Sequence, residues 1–235
     1  MLLTILTIII SLSVSLILLR WLLKLKSDNP FPKGTVIRLL IGGMIAIFPA
    51  IVVPLLPTVV AIVFKLELNN IAWFVIVENI VLVGIGEEFF KFLFMKHNLK
   101  RKDVMTSSFD AVLGGAITGI GFQLLEDIIY LDGSLFTAIF RAVTPFHFTF
   151  GAIMGYFYAR YVSTGKKKYS LFAVLVPGIV HGVFDYSISA TNNDAVLILV
   201  GLPILAGTMV LTIVMITKIR KWNRLRREST STVER

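Results

Sequence analysis

The chain has 235 residues, 56% of them hydrophobic and 16% charged, with no cysteine and a formal net charge of +9. Its apolar residues gather into blocks about as long as a bilayer is thick, which excludes an ordinary water-soluble domain and gives an all-α, polytopic membrane helix bundle. The positive charge lies in short clusters between those blocks, where it reads as a topology signal, and no basic domain outside the membrane is left to bind nucleic acid.

In chain order, Met1 to about Leu25 is apolar and lacks the basic start and small-residue cleavage site of a secretory signal, so it reads as a retained first helix. The next block, Val36 to Phe64, contains Pro49, Pro54 and Pro57, which predict a kink or a division into two. A third helix over about Ile71 to Met95 carries Glu78, Glu87, Glu88 and Lys91, and a fourth over about Ser107 to Tyr130 carries Asp110, Phe122, Glu126 and Asp127. The fifth runs from about Leu135 to Tyr161 with Arg141 and His147, and the sixth from about Leu171 to Ala190 with His181 and Asp185. The seventh covers about Val196 to Ile219, and a basic tail over 228–235 reads as disordered. One transmembrane domain thus fills 1–227, with its motif-bearing core at 84–185.

Twenty of the 23 Lys and Arg residues fall in the first loop, after helices three and five, and in the tail. All of these lie on one side of a seven-helix chain, which places the N-terminus outside and the C-terminus in the cytoplasm. The three exceptions are Lys65, Lys91 and Arg141.

A carboxylate in the middle of a span costs roughly 2.5–3.5 kcal/mol on insertion scales, so the adjacent pair Glu87 and Glu88 calls for a function. A rise of about 1.5 Å per residue puts Glu87, His147, His181 and Glu126 at overlapping depths on four helices, which predicts one shared polar site among helices three to six. Glycines four apart support close packing of these helices: Gly115 and Gly119, Gly151 and Gly155, Gly178 and Gly182. Glu87 and Lys91, four apart, suit a helical ion pair, and His181 and Asp185 have the spacing for a carboxylate to orient an imidazole. Phe122 shares a face with Glu126, setting an apolar ring beside it. Because neighbouring residues diverge by about 100° on a helix, one of Glu87 and Glu88 should be catalytic or a ligand and the other its support. His147 alone reads equally as a helix-packing donor, and Arg141 equally as a contact for substrate and as a partner of Asp127 or of a lipid head group; Glu78 and Asp110 read as solvated groups near helix ends.

Glu87-Glu88-x-x-Lys91, Phe122-x-x-x-Glu126, His147 within His-Phe-Thr-Phe-Gly and His181-x-x-x-Asp185 occur in that order on successive helices. Together they resemble the motifs of PrsW-type intramembrane proteases, which are related to the CAAX-prenyl protease and bacteriocin-processing superfamily. The second motif ends in Glu126, where CAAX-type relatives usually carry His. The resemblance implies a bacterial plasma-membrane endopeptidase that cuts a single-pass membrane protein, typically an anti-sigma factor in envelope stress. Its implied catalytic residues are Glu87, Glu88, Glu126, His181 and Asp185, with Lys91, Phe122 and His147 in support.

Peptide hydrolysis needs an activated water and a stabilised oxyanion. With a divalent metal such as zinc, Glu126, His147 and His181 are the candidate ligands and Glu87 or Glu88 the base. Without one, Glu87 and Glu126 would hold the water while His181 and Asp185 stabilise the oxyanion. The lack of a compact motif such as His-Glu-x-x-His tilts the reading toward the metal-free arrangement. Two other functions fit mid-membrane carboxylates and histidines: a proton- or cation-coupled transporter, against which no internal repeat is seen, and a catalytically silent scaffold for membrane partners.

Overall fold

The structure, a computed structural model, describes residues 2–27, 29–65, 72–101, 103–130, 134–189 and 197–233. Among these residues there are helices and connecting turns and no strand. The elements are α1 (Leu2–Leu25), α2 (Thr35–Phe64), α3 (Ala72–Val77), a π-helical segment (Glu78–Ile85), α4 (Gly86–Leu99), α5 (Ser108–Ile129) and α6 (Leu135–Val143). They continue with α7 (Phe146–Thr164), α8 (Lys167–Ser189), a short π-helical turn (Leu197–Gly201) and α9 (Leu202–Val233). Among the described residues, five helices are long and apolar enough to cross a membrane: α1, α2, α5, α8 and α9.

At the centre stands α5, whose residues are buried on every side except near its C-terminal end. Small residues make this possible. A side chain on Gly115 or Gly119 would overlap the backbone carbonyls of Gly151 and His147 on α7, and one on Gly43 of α2 would overlap that of Thr118. A second close approach, between Gly84 of the π-helical segment and Gly178 and Gly182 on α8, brings the acidic stretch against the helix that carries His181. All three predicted glycine pairs therefore lie in helix contacts, where van der Waals packing replaces the hydrophobic drive that lipid removes.

The basic helix ends gather at one end of the bundle. Lys26 Nζ, just past α1, lies 2.6 Å from Asp110 Oδ1 at the start of α5. Lys96 on α4 sits over the Tyr161 ring of α7, and Arg220 of α9 sits over Trp21 of α1. Asp110 is accordingly buried, contrary to the solvated placement read from its position near a helix end. Its other oxygen, Oδ2, accepts the backbone N–H groups of Thr106 (2.8 Å) and Ser107 (3.0 Å), closing the capping box of α5.

Four elements bear on the sequence reading. Of the two outcomes allowed for the prolines of α2, the division does not occur: they lie in its half-exposed outer portion, and the helix runs unbroken from Thr35 to Phe64. The third helix passes through eight residues of π geometry just before Glu87, a distortion that recurs at functional sites. The fifth does break, at Thr144 and Pro145, because proline supplies no backbone donor and disfavours helical backbone in the residue before it. That break places Arg141 in the last turn of α6 and His147 in the first turn of α7. Finally, α9 stays helical to Val233, past the point where a disordered tail was expected; Arg224 and Glu228 pair along this stretch at 3.7 Å.

Candidate active site and metal centre

The charged and polar groups of four helices meet as predicted. Glu87, Glu88 and Lys91 come from α4, Glu126 from α5, His147 from α7, and His181 and Asp185 from α8. Lys91 Nζ lies 2.7 Å from Glu88 Oε1, 3.2 Å from Glu87 Oε2 and 2.8 Å from His147 Nδ1. Glu88 and Lys91 are essentially inaccessible, and Glu87 is 13% exposed.

The two histidines are held alike. His147 presents Nδ1 to this cluster, 3.9 Å from Glu88 Oε1, and Nε2 to Glu126 Oε2 at 2.8 Å. His181 presents Nδ1 to Glu88 Oε1 at 3.3 Å and to Glu87 Oε2 at 3.8 Å, while its Nε2 lies 3.2 Å from Asp185 Oδ2. An ammonium can only donate, so His147 Nδ1 accepts from Lys91 and its Nε2 carries the hydrogen toward Glu126. Asp185 Oδ2 stands at ion-pair distance behind Nε2 of His181. His147 thus turns a bare Nδ1 inward, and each ring has a carboxylate behind its Nε2.

Glu126 is held in turn. Arg141 donates from Nη2 to Glu126 Oε2 at 2.8 Å and from Nε to Asp127 Oδ1 at 2.6 Å. The pairing of Arg141 with Asp127 is one of the three sequence readings of this residue; the bond to Glu126 is not among them. One placement is a correction: Glu87 and Glu88 do converge, because their side chains are long enough to offset the divergence of the helix positions. Phe122 covers Lys91 Nζ, 3.7 Å from the ring centroid, and packs 4.9 Å from the ring of His147, the residue that bonds Glu126. Phe150, which stands in the His-Phe-Thr-Phe-Gly motif without a role assigned to it, lines the other side of the site, 5.4 Å from His181 ring to ring.

One oxygen or nitrogen from each of Glu87, Glu88, His147 and His181 lies within 4.8 Å of the others, an arrangement able to hold a metal ion. This group takes in His147 and His181 of the expected ligands and has Glu87 and Glu88 in place of Glu126. The donor chemistry fits a divalent cation: two imidazole nitrogens and carboxylate oxygens, with a second carboxylate behind each ring. Two atoms of these residues, Glu88 Oε2 and His181 Nδ1, are buried without a hydrogen-bond partner, as ligand atoms would be. A cavity of about 80 Å³ adjoins the cluster, lined by Glu126, Arg141, Thr144, His147, His181 and Asp185 among others. At about 30 Å³ of liquid volume per molecule, that is room for two or three waters. Larger clefts around Ser107 and Ser163 lie at the basic end of the bundle and have no histidine or carboxylate in their walls.

Residues 31–216 match the family model described as PrsW family intramembrane metalloprotease. Curated relatives named Protease PrsW are similar along much of the chain. That of Clostridioides difficile (strain 630) is 29% identical over 52% of this chain and 56% of its own length. That of Geobacillus kaustophilus (strain HTA426) is 28% identical over 69% of this chain and 70% of its own. That of Bacillus subtilis (strain 168) is 27% identical over 73% and 77%. No solved structure matches the chain. With four-fifths of its length under the family model and the family's acidic and histidine motifs meeting in one buried site, the chain belongs to the PrsW family of intramembrane metalloproteases and is by that membership a membrane-embedded protease.

Proposed function

We propose that this protease hydrolyses a peptide bond of a single-pass membrane protein, such as an anti-sigma factor, using a divalent metal held by His147, His181 and Glu88. The observation that carries the reading is the matched pair of carboxylate-backed imidazoles, Glu126 behind His147 and Asp185 behind His181, with both Nδ1 atoms turned onto Glu88. A second-shell carboxylate of this kind fixes the tautomer and raises the basicity of a ligand histidine. When bound, the metal would lower the pKa of a water and polarise the scissile carbonyl. Zinc suits this mix of nitrogen and oxygen donors.

The remaining chemistry belongs to the chain. Glu87 is more exposed than Glu88 and stands beside His181, so it is the base that takes the water proton and returns it to the leaving amine. Glu88, wholly buried, serves as a ligand. Arg141 holds Glu126 in place and, with Thr144, forms one wall of the cavity that admits water.

Support for the membrane orientation comes from the same geometry. Reading the basic helix ends as the cytoplasmic face gives seven crossings with the N-terminus outside once the composite helix Ala72–Leu99 and α7 are counted with the five long helices. Glu126 and Asp185 lie near the opposite ends of α5 and α8, so the bond to be cut sits toward the outer leaflet of the plasma membrane. The transporter and scaffold readings have no comparable use for two backed imidazoles facing adjacent carboxylates. The test is cleavage of a reconstituted single-pass substrate before and after chelation. Loss on chelation and recovery with one equivalent of zinc is the expected result; full cleavage by metal-free protein would return Glu87 and Glu126 to the role of a metal-free water-activating pair.

A further inference from the structure

Three of the four groups that could hold a metal already hold a cation, the ammonium of Lys91. Its three N–H donors have three acceptors within 3.2 Å: Glu88 Oε1, Glu87 Oε2 and His147 Nδ1. Its remaining side lies against the Phe122 ring. A lysine this deeply buried is costly unless paired, and two adjacent buried carboxylates are costly without a positive charge between them. Each therefore accounts for the presence of the other.

Lys91 engages His147 Nδ1 and one oxygen of each glutamate, donors for which a metal in this cluster would compete. Ligand distances to zinc are about 2.0–2.2 Å, and an ammonium with its three acceptors at hydrogen-bond distance leaves no place for a second cation on the same lone pairs. Coulomb repulsion between the two cations adds to the steric conflict.

We infer that Lys91 is an internal cation that occupies the donor cluster in the metal-free protein and is displaced when a metal enters, so that loading is an exchange of one cation for another. Lys91 is thus a positioning residue for the metal-free site: it keeps Glu87, Glu88 and His147 assembled and His147 in the tautomer a metal requires. The same contacts make it a competitor that lowers metal affinity. This inference rests on the metal reading of the site given above.

The test is a zinc titration of the purified full-length protein and of Lys91→Met, followed by calorimetry and by thermal unfolding. With the competitor removed, affinity for zinc should rise about tenfold or more, and zinc should raise the unfolding temperature more in the variant than in the parent. Equal or weaker binding by a folded Lys91→Met protein overturns the exchange. The parent protein gives an independent measurement if the variant does not fold: acylation of Lys91 by an amine-reactive probe, read by mass spectrometry, should become faster when zinc is bound. Unchanged or slower labelling of zinc-loaded protein overturns the inference while leaving the metal reading intact. Failure of the parent and the variant alike to bind zinc or another divalent ion overturns both.

Discussion

The two histidine arms of the site are built alike but supported differently. Behind His147 stands Glu126, itself tied to Arg141, which also grips Asp127; Phe122 closes one face of the ring. Behind His181 stands Asp185, 27% exposed, with no ion pair among the described residues other than that to His181 itself. One arm is a chain of charges locked among α5, α6 and α7. The other is a single pair on one helix with a more exposed carboxylate, although both arms line the same small cavity. The contrast teaches that one ligand histidine can be fixed by a network of charges spanning three helices and its partner by a lone carboxylate on its own helix.

Ways to break the comparison follow in order of effect. Glu87→Gln lies between the arms and removes the base, so it should reduce cleavage about 10²–10⁴-fold while metal binding persists; a turnover assay with metal analysis checks both. Glu126→Gln should cost close to the upper end of the 10–100-fold range for a second-shell partner, in metal affinity and in rate, because it also leaves Arg141 without one of its two acceptors. Asp185→Asn should fall near the lower end, about tenfold, since an exposed partner can be replaced by water. Equal losses in the last two variants would erase the proposed difference between the arms. Lys26→Met serves as a distant contrast: it leaves Asp110 buried and unpaired and should cost about 3–5 kcal/mol of stability, with little change in the cleavage rate per folded molecule.

Much of this site was legible in the sequence because ionisable residues inside spans have few permissible positions. Glu87, Glu126, His147 and His181 had to face one another, and glycines four apart marked the helices that could approach closely enough. The break before His147 was harder to see. Pro145 is one of several prolines in apolar segments, and those of α2 are tolerated while this one, with Thr144 in a non-helical conformation, ends α6. The burial of Asp110 could not be read locally either, since its partner Lys26 is far away in sequence and reaches it only through the packing of α1 on α5. Arg141 carried one usable signal: it is among the three basic residues outside the basic clusters that flank the apolar blocks. Lys91 carried the same signal, but its spacing shows only the pair with Glu87 and not the bond to His147, which depends on how α4 meets α7.

The central claim is that both imidazoles, each backed by a carboxylate, bind the metal. X-ray absorption of the full-length protein loaded with one equivalent of zinc tests it most directly. The account predicts a nitrogen and oxygen first shell with the outer-shell scattering of two imidazoles, reduced to one in His181→Ala. A shell with no imidazole scattering, or one that His181→Ala leaves unchanged, would contradict it.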